Sequence, residues 1–331
     1  MIRGQRTEDR GQSFCRDIVA QSCNMCRAAA HDRLSSVFCP LSSERGFTLV
    51  EMIIVIVITG IIGSMVAVFL KAPVQQYMDV ARRADMTNIA DTALRRVSRD
   101  LRLALPNSVR RAGVCDGVAP CFIEYLPTGS PSCAVAAVCL GGGRYRTGAG
   151  GTNDELRFDI ADSSFEVLGQ MPTMVAGVTP DQIVVYNLGI TGADAYLGVN
   201  RAAVTAAPAG GIVSIAATQF PFDSPGHRFH VVSTPVSYVC VPVPGGVGGT
   251  LWRYWGYAIQ AAQTSTDSIV ELNALPGVQF ARLATNVSNC SFTYDNNVVA
   301  QRSGLVTMNL DITRDNETVT LYSATHVSNE P

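Results

Sequence analysis

Glu51 is the single charged residue in an otherwise apolar run of 24, Phe47 to Leu70 (FTLVEMIIVIVITGIIGSMVAVFL). A carboxylate in such a run costs about 2.5–3.5 kcal/mol at the centre of a bilayer and less near its edge. Its chemistry is therefore an ion pair with a cation such as a free α-amine, set against the simpler reading of a near-interface glutamate that snorkels to water. Gly46 stands immediately before the run, and a glycine lets a protease approach the backbone closely. Arg45 precedes it, on the side where the positive-inside rule expects basic residues.

The cysteines are the second chemical feature. Cys15, Cys23, Cys26 and Cys39 lie before the run. The Cys23–Cys26 CxxC has neither the second half of a zinc ribbon nor the βαβ setting of a redox motif, and reads as incidental. Six more follow: Cys115, Cys121, Cys133, Cys139, Cys240 and Cys290. They lie beyond the run, on the side where disulfides form, and their even number suits pairing. Cys240 and Cys290 sit in strand-like segments and are expected to pair. The other four lie in a Gly/Pro-rich loop, where local pairs (115–121, 133–139) and crossed pairs are both physical.

Other reactive residues carry little. GxSxG, HExxH and Walker patterns do not occur, so an enzyme is not expected. His227 and His230 lack the spacing of helical metal ligands and read as surface histidines; no metal or cofactor is expected. Gly141–Gly151 lacks the Lys-Ser/Thr ending of a phosphate loop and reads as a mobile loop. Trp252, Tyr254, Trp255 and Tyr257 read as core and sheet packing. The sequons at Asn286, Asn289 and Asn316 carry no weight.

These residues need elements to hold them. At 1.5 Å per residue the apolar run spans about 36 Å as a helix, enough to cross a hydrocarbon core of about 30 Å. It is too long for the core of a secretory signal and has no small-x-small site after it. Its 15 Leu, Ile, Val and Phe residues offset the cost of Glu51, at about 0.3–0.6 kcal/mol each. Pro73 is expected to kink or break the helix. Apolar spacing near three and four then predicts an amphipathic helix over 74–105, with Tyr77, Ala81, Ala84, Ala90, Leu94, Val97, Leu101 and Leu105 on one stripe. Asp79–Arg83 and Asp91–Arg95 are favourable i,i+4 pairs. Arg95, Arg96, Arg99 and Arg102 form a basic exposed side, read as a solvated face with an acidic neighbour as the alternative. Pro106 ends the helix.

From Val109 the pattern becomes β. Strands are expected at 156–160, 182–186, 211–215, 229–233, 250–258 and 289–294. The clearest is a terminal hairpin: Val306, Met308, Leu310 and Ile312 alternate with polar residues, Arg314–Glu317 turn, and Val319 and Leu321 return. An antiparallel sheet laid on the amphipathic helix gives an α+β head over 106–331. The whole chain has a net charge of −2, which gives no reason to expect a nucleic-acid partner.

Arg45-Gly46-Phe47-Thr48-Leu49-Val50-Glu51 resembles the processing site of type IV prepilins. The resemblance implies a leader, 1–46, removed by a prepilin peptidase between Gly46 and Phe47, and N-methylation of Phe47. Residues 47–70 would anchor the chain in a bacterial inner membrane and later pack in a filament core. Glu51 would take the fifth mature position and pair with the Phe47 amine of a neighbour during assembly. The leader holds seven Arg and five acidic residues. It is long for the family, and a start near Leu41 would leave LSSERG.

Further segments, Val74–Arg110, Gly142–Arg146, Phe220–Val232, Thr250–Tyr257 and the C-terminal hairpin, are similar to minor prepilins of mannose-sensitive haemagglutinin (MSHA) pili. That implies the type IV pilin-like fold, a periplasmic head, and a minor pilin in filament initiation or assembly. The partners implied are major and minor pilins, an inner-membrane assembly platform, and lipid before assembly. A J-type pseudopilin of type II secretion and an adhesive tip subunit are the alternatives.

Overall fold

The computed structural model describes residues 46–130, 140–148, 154–177, 179–295 and 303–331. Residues 1–45, with Cys15, Cys23, Cys26 and Cys39, lie outside the described residues, as do Cys133, Cys139 and 149–151. The chain divides into two compact units between Val68 and Phe69. The fold is α+β, a long apolar N-terminal helix with antiparallel sheets, consistent with a type IV pilin-like fold.

Helix α1 runs unbroken from Leu49 to Leu101. The break expected at Pro73 does not occur. A proline removes one backbone donor, but the helix stays continuous through it. The helix also ends at Leu101 rather than 105. Short-range bonds from Leu103 N to Asp100 O and from Ala104 N to Leu101 O close it, and Leu105 then donates to Leu126 O at 2.7 Å.

The second unit is built on the C-terminal part of α1. Its buried stripe is Met86, Ala90, Ala93, Leu94, Val97 and Leu101. Tyr77, Ala81 and Ala84, expected on the stripe, are exposed, so cover begins at Met86. Two antiparallel sheets supply it. The first has the order β1 (Arg110–Ala112), β2 (Cys121–Tyr125), β9 (Val236–Val241), β10 (Thr250–Trp255), β11 (Gln279–Thr285). The second is β12 (Val287–Asp295), β13 (Ser303–Arg314), β14 (Glu317–Ser328). Ile123, Tyr238, Cys240 and Leu251 of the first and Phe292, Val306, Met308, Leu310 and Ile312 of the second share one core with the helix. The terminal hairpin turns through Asp315 and Asn316, both at positive φ, with Arg314 facing Glu317.

Polar contacts fix the helix on the sheets. Asp100, largely buried, accepts from Tyr238 Oη at 2.7 Å and Arg253 Nε at 3.0 Å. Near Met86, Glu317 meets Arg83 at 2.9 Å and Arg82 at 3.3 Å, Asp315 meets Arg82 at 2.8 Å, and Arg314 meets Asp85 at 2.9 Å. Arg83 therefore pairs with the hairpin, and Asp79 pairs with Arg82 instead. The pair Asp91–Arg95 forms at 2.6 Å.

Between β2 and β9 the chain builds a separate module. A closed barrel has the order β3 (Gly142–Tyr145), β4 (Asp162–Leu168), β7 (Ile212–Thr218), β6 (Arg201–Ala209), β5 (Gln182–Val185), β8 (Arg228–Val232). Phe165, Ile183, Val204, Val213, Phe229 and Val231 fill its interior. Part of the expected mobile loop, Gly142–Tyr145, is thus a strand. A Cβ at Gly142 would fall 2.1 Å from the Phe229 carbonyl oxygen, so close strand approach, not mobility, explains the glycine. The strand expected at 156–160 forms later, at 162–168. The Asp162 carboxylate accepts from Arg157 N at 2.9 Å and Arg157 binds Asp159, turning the segment instead.

His230, expected at the surface, lies on β8 opposite Gly142 and Val184, its Nε2 shielded from water. Burial, aided by the Arg228 charge, pushes its pKa down to about 4. An unfolded histidine titrates near 6.5. As pH falls from about 6.5 towards 4 the unfolded chain takes up a proton that the folded chain refuses. Stability present above 6.5 is then lost, by roughly 3 kcal/mol in total. Urea midpoints measured between pH 7 and 4.5 should fall accordingly, and His230→Gln should flatten that part of the slope.

Candidate functional site

The first residues described, Gly46 to Thr48, precede the helix. Thr48 is its N-cap. Its carbonyl accepts the first intrahelical bond, from Met52 N at 3.1 Å, and its Oγ1 accepts from Glu51 N at 3.2 Å. Glu51 is thus the third helical residue, and Thr48 caps its backbone N–H. Its negative charge sits in the first turn, where the helix dipole favours it. Thr48 was not singled out from the sequence, although Thr-x-x-Glu before an apolar run is a readable helix start.

Beyond the cap every side chain from Leu49 to Leu70 is exposed. Ile, Val, Leu and Phe surround the helix on all sides, with Phe47 77% and Phe69 79% exposed. A helix apolar all round belongs in protein core or lipid. The segment is long and apolar enough to cross a membrane. Two hydroxyls inside it are tied back to the helix: Thr59 Oγ1 donates to Val55 O at 2.7 Å and Ser64 Oγ to Ile61 O at 2.8 Å. No polar group there is left seeking an external partner except the Glu51 carboxylate, which makes no ion pair among the described residues.

Residues 41–67 match the family model of the prokaryotic N-terminal methylation motif. This motif supports a type IV pilin-like protein. The match covers Gly46, Phe47, the cap and most of the apolar helix, and none of the head. No curated protein and no solved structure matches the chain. A pilin-type N-terminus implies processing by a prepilin peptidase and assembly with other pilins, and the apolar helix fits a membrane-anchored pilin.

The head carries the remaining candidate residues. Cys240 on β9 and Cys290 on β12 are joined, with Cα atoms 6.5 Å apart, and both are buried in the core under α1. Their bond ties the two sheets together. Cys115 and Cys121 are joined locally, Cα atoms 4.7 Å apart. Cys121 belongs to β2 rather than to the loop and lies opposite Cys240 in register. Tyr254 and Tyr257 are buried, while Trp252 packs edge-on against Phe280 and Trp255 lies beneath Arg253. His227 Nδ1 lies 3.4 Å from Asp223. Among the described residues no cluster of His, Cys, Asp or Glu could hold a metal ion.

One buried pair went unnoticed in the sequence. Glu124 accepts from Arg110 at 2.8 Å and from Thr266 Oγ1 at 2.6 Å, and Arg110 stacks on the Tyr196 ring at 3.6 Å. Burial outweighs these partners and pushes the Glu124 carboxyl above its ordinary range. Arg110 also bonds the carbonyls of Gln260 and Ala261, so the cluster ties β2 to the Ala258–Thr266 segment and the barrel's Tyr196.

The disulfide joining the sheets has a direct check. Non-reducing peptide maps of the purified protein should show Cys240 and Cys290 in one linked peptide. Cys290→Ser should lower head stability by about 2–5 kcal/mol, as loss of a native disulfide does, read from urea unfolding with and without reductant.

Proposed function

We propose that this chain is a minor pilin that takes part in initiating or assembling an MSHA-like pilus, with its head in the periplasm before assembly and at the cell surface after it. The observation that carries this reading is the methylation motif laid over a capped, fully apolar helix. The finer assignment rests on the resemblance of the head segments to minor prepilins of MSHA pili, read from the sequence alone. A low-copy place suits the head, since a sheet core enlarged by a whole barrel would crowd a tightly packed shaft.

In this reading the leader ends at Gly46, where the open backbone suits a protease: a Cβ there would meet nothing within 4 Å. The cut frees the Phe47 amine two residues before the helix. Intact protein from membranes and from sheared filaments should begin at N-methylated Phe47 by mass spectrometry, and Gly46→Val should leave the precursor uncut. A mature terminus beyond Leu70 would overturn the reading.

Glu51 then has two partners in sequence. In the lone subunit the helix dipole favours its charge at the helix start. In the filament the Phe47 amine of a neighbour replaces water as its counter-ion, and two costly isolated charges become one pair. Glu51→Val should leave processing and membrane insertion intact, because the costly carboxylate is gone. It should lower incorporation into sheared pili several-fold at equal membrane levels. Incorporation equal to wild type would show that the carboxylate serves only the helix start.

A further inference from the structure

We propose that the groove between the last turns of α1 and the β11 edge binds a carboxylate-bearing surface of a different subunit in the same filament; this rests on the pilin reading above. The groove has a volume of about 420 Å³ and is lined by Thr92, Ala93, Arg95, Arg96, Arg99 and Leu283. Its walls are three arginines on neighbouring helical positions, and Arg102 extends the exposed row by most of a turn. Arg95 and Arg99 are 80% and 68% exposed at the side chain.

The charges of the groove are under-answered. Asp91 meets Arg95. Asp100 lies 3.3 Å from Arg96 and 3.7 Å from Arg99, but it is also bound inward by Arg253 and Tyr238. Four guanidinium groups on the stripe thus share two carboxylates, one of which is shared with a fifth guanidinium. The other basic stretch of the same helix is treated differently. Arg82 and Arg83 are met by Asp315 and Glu317 of the chain's own hairpin. Where the head completes its own contact it supplies the acids; over the 95–102 stripe it supplies too few.

The shape of the groove favours side-chain recognition. β11 is an edge strand, paired among the described residues only with β10. Its ladder is irregular at Leu251/Trp252, so Leu283 has no directly opposed partner. An irregular edge is a poor template for strand addition. Guanidinium groups a helical turn apart suit instead two carboxylates at similar spacing, each held by the bidentate fork that arginine offers and lysine does not. Leu283 and Ala93 provide the apolar floor. A low-copy subunit meets mostly subunits of other kinds, so the occupant is a heterologous pilin.

The test uses the full chain in cells that assemble the filament. Benzoylphenylalanine replaces Thr92 in the groove and, as a control, Thr320 on the exposed face of β14. After irradiation, adducts in sheared filaments are mapped by mass spectrometry. The expected Thr92 adduct is a peptide of another pilin subunit carrying at least two Asp or Glu. Arg95→Glu with Arg99→Glu should lower its yield at least five-fold while cleavage after Gly46 and membrane level match wild type. Arg95→Lys with Arg99→Lys, which keeps charge and fold, should lower it less. An undiminished adduct in the Glu variant, an adduct to lipid or to a second copy, or a peptide without acidic residues overturns the proposal. Chain present in filaments without a Thr92 adduct overturns it alone; chain absent from filaments overturns the pilin reading with it.

Discussion

The head exists to keep one stripe of α1 dry. From Met86 to Leu101 the helix presents Met, Ala, Leu and Val at helical spacing, and these side chains are 0–4% exposed. An isolated amphipathic helix cannot bury its stripe, and its stability comes from what packs against it. Both sheets answer that need from different parts of the chain, one from β1–β2 and β9–β11, the other from the terminal strands. The Cys240–Cys290 bond crosses between them within the same core, and Asp100 locks the helix end to β9 and β10. Small alanines at 90 and 93 let the sheets approach closely, which is why Tyr238 and Phe292 fit beneath the helix.

The N-terminal half of α1 obeys the opposite rule with the same backbone. It has no stripe, since apolar side chains surround it on every side. Its one carboxylate sits where a helix tolerates it best, in the first turn, where the Thr48 cap leaves fewer donors open. A charge in mid-span would oppose insertion. At the helix start the dipole favours it. The continuity through Pro73 follows from the same economy of hydrogen bonds, since one lost donor is less costly than ending a helix and exposing several orphan groups.

The sequence made the ends of this design legible and hid its middle. The apolar run announced α1, and the alternation Val306, Met308, Leu310, Ile312 announced β13, because each is a single unbroken period. The limits of the helix were not readable. Whether Tyr77 and Ala81 are covered depends on where the terminal hairpin reaches, which spacing cannot say. The barrel was missed as a unit. β6 is rich in alanine, which carries no strand signal, although Gly210-Gly211, both at positive φ between β6 and β7, was a readable two-residue hairpin turn. Gly142 looked like loop material because a glycine chosen for close strand approach and one chosen for freedom are the same letter. The buried Glu124–Arg110–Tyr196 cluster joins residues far apart in the chain, and nothing local marks it.

The position of the barrel explains why so large an insertion leaves the pilin-like core intact. The chain leaves the first sheet at the end of β2 and re-enters it at β9, and these strands are direct neighbours, Tyr125 opposite Val236. An insertion whose two ends are already held side by side adds little closure entropy, which grows only slowly with length. The barrel brings its own interior, with Phe165 and Phe229 packed edge to face, and so borrows no apolar cover from the stripe of α1. What it shares with the rest is a seam: Leu105 and Leu126 beside Val184 and Val232, Tyr196 reaching Ser108 O and stacked under Arg110, and Asn187 bonded to Pro106 and Asn107. The helix and its two sheets are constrained by the need to cover the stripe of α1, whereas the barrel need only close on itself.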